Sequence, residues 1–312
     1  KNTWLGIVAE LGEPAVLEVP TPQVRLDLEP DPVPSEVEGF TGLQREDLYP
    51  ASEEAALARL GEFMKESADH YAQGRDLPGK AGTSTLSPYL AAGVVSPRQC
   101  LAAARSARSE GRQVWVSELI WREFYRHLLV GFPDLSKGQN FRRKYDALPW
   151  DDNQEAFEAW CQGRTGYPIV DAGMRQLRAT GWMHNRVRMI VAMFLSKHLL
   201  IDWRRGERFF MQHLVDGDLA ANNGGWQWSA STGTDAQPYF RVFNPWLQSK
   251  RYDAEGDYIY EFVPELRGVP AKALHDPAKL GRELEQRDLD YPQPIVEHSQ
   301  ARLRAIATFK EI

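Results

Sequence analysis

Asp216-Gly217-Asp218-Leu219-Ala220-Ala221-Asn222-Asn223-Gly224-Gly225-Trp226-Gln227-Trp228 is the stretch on which the reading of this chain turns. Two carboxylates, two amides and two indoles share it with three glycines, which let a backbone come close to whatever it holds. Acceptors, donors and flat aromatic faces at this density suit a planar, nitrogen-rich ligand such as a flavin ring or a nucleobase. The polar edges of such a ligand need hydrogen bonds and its faces need apolar walls. The competing interpretation is a polar turn running into two core tryptophans, since Trp is highly buried on average. That explains either indole alone better than it explains the cluster.

Three more stretches carry chemistry. Gly82-Thr83-Ser84-Thr85-Leu86-Ser87 precedes Pro88, a favoured residue at a helix entry. Hydroxyls with free backbone N–H groups at such an entry make an anion site suited to a diphosphate, and ordinary N-capping is the plainer account. On a helix over 113–130, Glu118, Trp121, Arg122 and Tyr125 fall at i, i+3, i+4 and i+7 and share one face. There a carboxylate beside an indole can hold a flat heterocycle; the plainer account is a Glu–Arg pair over a core Trp. Over 182–189, Asn185, Arg188 and Met189 share a face while Arg186 points elsewhere. His184, Arg186 and Arg188 could meet phosphates or form a solvated basic surface. An inward Arg188 needs a carboxylate partner, and Asp216 is the candidate. No Walker or Rossmann glycine pattern, metal-ligand spacing or Ser-His-Asp set appears, so any chemistry is a cofactor's.

The 312 residues can bury one large core or two smaller ones. No apolar run has transmembrane length, no signal peptide opens the chain, and two solitary cysteines, Cys100 and Cys161, suit a reducing cytoplasmic setting. The net charge of −6 is unevenly spread. Residues 1–70 carry 5 basic and 15 acidic side chains (−10), and residues 71–312 carry 32 and 28 (+4). The later part can therefore present a basic face to nucleic acid.

Closely spaced prolines over 12–50 exclude a regular helix and read as an extended linker. The chain lacks an initiating Met and opens in what reads as a helix end, so it is expected to be a piece of a longer protein. Helical patterns begin after Pro50. Ser52 with Glu53 and Glu54 marks a start, and Leu57, Leu60, Phe63 and Met64 make an apolar stripe. Further helices are expected near 87–107, 113–130, 153–162, 167–180, 182–199, 203–214 and 299–310, with long connections after 130 and 230. The fold class is mostly α. Residues 1–50 are the linker segment, and 51–312 the helical domain.

Trp-Arg-Glu-Phe-Tyr-Arg-His at 121–127, Thr-Gly-Tyr-Pro-Ile-Val-Asp-Ala at 165–172, Gly-Trp-Met-His-Asn-Arg at 181–186 and the 216–228 stretch resemble the photolyase/cryptochrome family, nearest the bacterial class I cyclobutane pyrimidine dimer photolyases. The resemblance runs from Lys1 to 291–296. It implies a helical FAD-binding domain behind a linker, with most of an N-terminal antenna domain missing. It also implies a U-shaped, non-covalent FAD, active as FADH⁻. Tyr71 and Thr83, Ser84, Thr85, Leu86 and Ser87 would lie at the FAD phosphates. Arg188, Asp216, Gly217 and Asp218 would lie against the flavin, with Asn222 facing its N5, where plant cryptochromes carry Asp. Glu118, Trp121, Trp228, Asn185 and Met189 would form the lesion pocket. Photolyases for the (6-4) lesion have His at the last two positions, so the simple dimer is the implied substrate. Arg75, Arg122, Tyr125, Arg186 and Gln248 would serve DNA binding, and Trp226, Trp203 and Trp150 an electron relay.

The implied activity is light-driven splitting of a flipped-out dimer in single- or double-stranded DNA by a monomer. That protein is expected to be cytoplasmic, nucleoid-associated when bound, and free of metal or membrane partners. Ser136 and Lys137 lie where a folate antenna touches relatives, but the missing domain makes an antenna chromophore unexpected here. A cryptochrome-like photoreceptor without repair is the main alternative. A flavin-free DNA-binding scaffold is the other.

Overall fold

The computed structural model describes residues 45–312, with Gly6, Glu29 and Pro32. The linker and the helix end expected before residue 45 otherwise lie outside the described residues. Ser52 caps α1 (Glu53–Glu66), accepting from the Ala55 N–H at 3.0 Å. The buried stripe of α1 is Ala56, Leu60, Phe63 and Met64. Leu57, expected on it, is 41% exposed because the stripe is centred one residue earlier. After α2 (Tyr71–Gly74), the helix expected over 87–107 is two: α3 (Ser87–Ala92) and α4 (Pro97–Arg105). Gly93, at φ 76°, closes the first, and a Ser96–Gln99 capping box opens the second.

The long α5 (Glu110–Gly131) leads into single-turn helices up to residue 147, as the expected connection after 130 requires. Then come α6 (Gln154–Gln162), α7 (Pro168–Thr180) and α8 (Asn185–Met193). The end of α8 widens into a π-turn over Phe194–His198. They are followed by α9 (Trp203–His213) and α10 (Leu219–Ala230). The connection expected after 230 instead holds α11 (Pro245–Tyr252), α12 (Asp257–Phe262), α13 (Ala271–Leu274) and α14 (Pro277–Arg287). The first three are too short to show a sustained 3.6-residue period; α14 is as long as α9 and buries Leu280 and Leu284 at i and i+4, a signal the sequence does carry. The last helix, α15 (His298–Lys310), sits where the sequence placed it. Among the described residues no sheet forms, only an isolated bridge between Asp151 and Ile201.

Two large buried apolar clusters organise most of the helices, and a third, smaller one of Tyr145, Leu148, Leu200, Ala305 and Phe309 seats the last helix. Of the large two, one takes Leu60 and Phe63 from α1, Cys100 and Leu101 from α4, and Trp115 and Leu119 from α5. The other takes Leu177, Val187, Val191, Phe194, Trp203, Phe210, Trp226 and Tyr258. The helix α10 packs against α5, α8 and α9.

The C-terminal α15 closes over the π-turn. His198 Nε2 meets His298 Nδ1 at 2.9 Å, and Arg304 donates to the His198 carbonyl at 2.9 Å. The Lys197 amine, fully buried, lies 3.2 Å from the Phe309 ring centroid. Burial pushes His184 down to about 4 and His198 down to about 3. The unfolded chain therefore binds protons first as pH falls. The resulting stability is full above about pH 6.5 and is lost on acidification towards the folded values. The urea midpoint is expected to fall between about pH 7.5 and about pH 5, with a shallower slope in His198→Gln. An unchanged midpoint would contradict the burial of these two rings.

Candidate functional site

A cavity of about 460 Å³ lies where the two large apolar clusters meet, and a smaller chamber of about 150 Å³ adjoins it. Both are walled by Asn185, Arg188, Met189, Asp216, Asp218, Ala221 and Gly225, so they form one two-chambered space. The larger chamber receives the whole expected face of α5: Glu118, Trp121, Arg122 and Tyr125. Trp228 joins them, with Tyr71, Arg75 and residues 83–87. Trp121 is 43% exposed. The smaller chamber alone contains Asn222, Trp226 and Phe210.

The local sequence explains α10. Adjacent glycines cost a helix interior about 1 kcal/mol each relative to Ala, so tertiary contacts must hold it. A Cβ on Gly224 would strike the Tyr125 ring, and one on Gly206 of α9 would strike the Trp226 ring. Gly225 is different. A Cβ there meets nothing within 4 Å because it faces the open space of both chambers. Asp218 caps the helix, accepting from the Ala221 N–H at 3.0 Å.

Most charges around the cavity are paired, though Asp235, which also lines the larger chamber, forms no ion pair among the described residues. Arg188 Nη2 donates to both oxygens of Asp216 at 3.0 and 2.8 Å, the expected partnership, while its Nε donates to the Met183 carbonyl at 2.8 Å. The Asp216 side chain is 3% exposed. Burial would raise the Asp218 carboxyl, but Arg126, donating at 2.7 Å, and the Ala221 amide hold it below the usual range. The sequence reading missed Arg126, which lies 92 residues from its partner. Glu118 pairs with Arg75 at 2.5 Å, not with Arg122, which donates to the Leu90 carbonyl. The plain Glu–Arg reading of α5 therefore fails.

Among the described residues, no hydrogen bond is donated by the backbone N–H groups of residues 83–87. The residues that carry these unengaged amides line the large chamber. The helix behind them, α3, has six residues, so it is these amides, more than a helix dipole, that suit an anion. Trp182 Nε1 donates to Ser87 Oγ at 3.1 Å, a contact sequence reading missed. Asn222 Nδ2 donates to the Glu207 carbonyl at 2.9 Å, which orients the amide and leaves its oxygen as an acceptor.

Other expected residues lie elsewhere. Gly217 is in the turn before α10, its N–H on the Leu214 carbonyl. Arg186 pairs with Asp76 at 2.8 Å and lies 4.5 Å from the Tyr252 ring, pointing away from the face of Asn185. Gln248 is outside the cavity lining, with its amide oxygen buried and unpartnered. Trp203 is buried, donating to Asn140 at 2.9 Å, and half-buried Trp150 packs on Phe309. The rings nearest Trp226 include Phe210 at 5.0 Å and Trp160 at 6.0 Å; Trp160 went unnoticed in the sequence. Ser136 and Lys137 sit in an exposed single-turn helix. No group that could hold a metal occurs among the described residues, and none of their helices is long and apolar enough to cross a membrane.

Residues 115–311 match the FAD binding domain of DNA photolyase. The chain belongs to the photolyase family. It is 50% identical to the deoxyribodipyrimidine photo-lyase of Escherichia coli over 316 residues, covering 99% of this chain and 66% of the relative. A bacterial class III photolyase structure from Agrobacterium tumefaciens superposes with a TM-score of 0.82 at 46% identity, covering 85% of this chain and 57% of that one. A Synechocystis cryptochrome structure gives 0.75 at 35%, covering 83% and 55%. The chain thus spans less than two thirds of the length of these relatives.

FAD fits this photolyase cavity on the chain's own features. Residues 83–87, whose backbone N–H groups donate to nothing among the described residues, line one chamber, and Asn222, with its amide oxygen unused, lines the other. The volume is that of pockets that enclose ligands, roughly 300–1,000 Å³. Two glycine variants test the geometry. Gly225→Ala is expected to weaken FAD retention while raising flavin-free stability by up to about 1 kcal/mol. Gly224→Ala should lose about 1–3 kcal/mol from the clash with Tyr125. Melting curves with and without FAD read both, and equal behaviour of the two variants would refute the assignment of their faces. Arg188→Met should cost about 3–5 kcal/mol in denaturant unfolding, because Asp216 is left as an unpaired buried charge; a loss under about 1 kcal/mol would show the pair to be solvated.

Proposed function

We propose that this photolyase chain is the flavin- and lesion-binding part of an enzyme that splits cyclobutane pyrimidine dimers in DNA in the light. The observation that carries the proposal is one cavity with two unlike ends. Glu118, Trp121 and Trp228 stand in the larger chamber, and Asn222 stands in the smaller. When bound and reduced, FAD supplies on excitation the electron that opens the dimer's ring.

The chain's residues do the rest. The amides of 83–87, with Tyr71, Ser84 and Ser87, hold the diphosphate region. Asp216 and Arg188, fixed as a pair, and Asp218, fixed by Arg126, set the charge beside the ring system. The Asn222 amide, oriented by the Glu207 carbonyl, would offer its oxygen as an acceptor to a flavin N–H and, being neutral, would have no acidic proton to give.

In the lesion pocket Glu118, held by Arg75, accepts hydrogen bonds from the damaged bases. Trp121 and Trp228 pack on their faces, each worth about 1–3 kcal/mol per stacked base. Asn185 and Met189 complete the wall and offer no acid or base, which fits ring opening by an electron alone. Photolyases are a known case of enzymes that take their target out of the stack. A dimer stacks poorly and so costs less to extrude. Arg75, Arg122, Tyr125, Arg186 and Gln248 are assigned to the DNA surface. For Arg186 to reach a phosphate, its pairing with Asp76 must loosen. Trp226, Trp203 and Trp150 are assigned to carrying an electron inward from the surface. No antenna site is assigned to this chain.

The similarity to a cryptochrome structure supports one competing reading, a photoreceptor that repairs nothing. Purified chain loaded with FAD, reduced, and mixed with a dimer-containing oligonucleotide separates the two. Repair is expected under blue light and not in the dark, and Trp121→Ala should weaken lesion affinity about tenfold. Retained reduced flavin without repair would favour the receptor; a chain that takes up no FAD would leave only a scaffold.

A further inference from the structure

Arg59 lies on α1 and is absent from the cavity lining, yet it reaches the loop that lines it. Its Nη1 donates to Thr85 Oγ1 at 2.9 Å and its Nη2 to the Leu48 carbonyl at 2.9 Å. Its guanidinium carbon lies 5.7 Å from the Tyr89 ring centroid. Thr85 has φ 48°, in the left-handed region that a β-branched residue enters only at a cost. Such a conformation persists where its surroundings over-determine it. The Thr85 hydroxyl donates to the Ser84 carbonyl at 2.8 Å, so its proton is already used and the oxygen serves as an acceptor for Arg59. Thr85 thus offers the cavity its backbone, and its side chain anchors the turn.

We infer that Arg59 is a positioning residue for the anion-binding amides of 83–87, an inference that rests on the FAD reading above. The physical link is the peptide plane. Letting Thr85 relax to negative φ rotates the peptide between Ser84 and Thr85 and swings free N–H groups away from the chamber. The guanidinium prevents this by holding the side chain through a charge-assisted hydrogen bond. It also places a fixed positive charge behind the loop. Its second arm joins residues 45–50 to the same loop, so that segment and the anion grip share one clamp.

Four full-chain variants test the inference: Arg59→Met, Arg59→Lys, Thr85→Gly and the Arg59→Met/Thr85→Gly double. Two readouts are taken: FAD affinity by quenching of flavin fluorescence, and the backbone chemical shifts of Ser84 and Thr85, which report φ and ψ, in flavin-free protein. Arg59→Met is expected to weaken FAD binding about tenfold and to move the Thr85 shifts from left-handed towards extended values. Arg59→Lys, with a single point of donation, should fall between. Glycine adopts positive φ freely, so Arg59→Met should cost under about threefold in the Thr85→Gly background. If Arg59 only pins α1 to residues 45–50, the loss will be the same in both backgrounds, and the inference falls. It also falls if Arg59→Met leaves affinity and the Thr85 shifts unchanged. Failure of the unaltered chain to bind FAD would instead defeat the cofactor reading, while the Thr85 shifts would still decide whether Arg59 positions the amides.

Discussion

The structure depends on how closely α10 can approach its neighbours. Its middle is Asn-Asn-Gly-Gly, a poor helix by propensity, and it is held because Gly224 lies against the Tyr125 ring and Gly206 lets the Trp226 ring settle on α9. Those two contacts fix the width of the cavity from opposite sides. Everything placed along α10 follows from them: the cap at Asp218, the oriented amide of Asn222, the open face of Gly225 and the ring of Trp228.

A chain with ten tryptophans and a net charge of −6 could be a sticky protein with scattered charge. Instead three carboxylates at the site are each matched to a guanidinium: Asp216 to Arg188, Asp218 to Arg126, Glu118 to Arg75. The Asp216 pair is the most enclosed, which is where breaking it costs most. The more exposed pairs contribute less to stability, and their value lies in fixing where charge sits. That suits the proposed reaction, in which one electron opens the ring and no side chain gives a proton.

Much of this was legible in the sequence, for identifiable reasons. Glu118, Trp121, Arg122 and Tyr125, and likewise Asn185, Arg188 and Met189, follow helical spacing. Helical spacing is a local property, and all seven line the cavity. The pairing of Arg188 with Asp216 followed from the cost of an unpaired inward charge. What stayed hidden was non-local. Arg126 and Asp218 are 92 residues apart, Arg59 and Thr85 26 apart, and nothing local marks either pair. The difference between Gly224 and Gly225 was equally invisible, since one meets a ring and its neighbour meets a cavity. Of the helices between 245 and 287, the first three are short enough to leave little periodicity, while the Leu280 and Leu284 pair of α14 was legible and passed over.

The two large apolar clusters belong to different stretches of chain, and α5 and α10 carry the contact between them. A guest lodged at that seam touches both halves at once. A guest that binds the folded body and not the unfolded chain stabilises it by mass action, so occupancy of that seam and cohesion of the two clusters would rise and fall together.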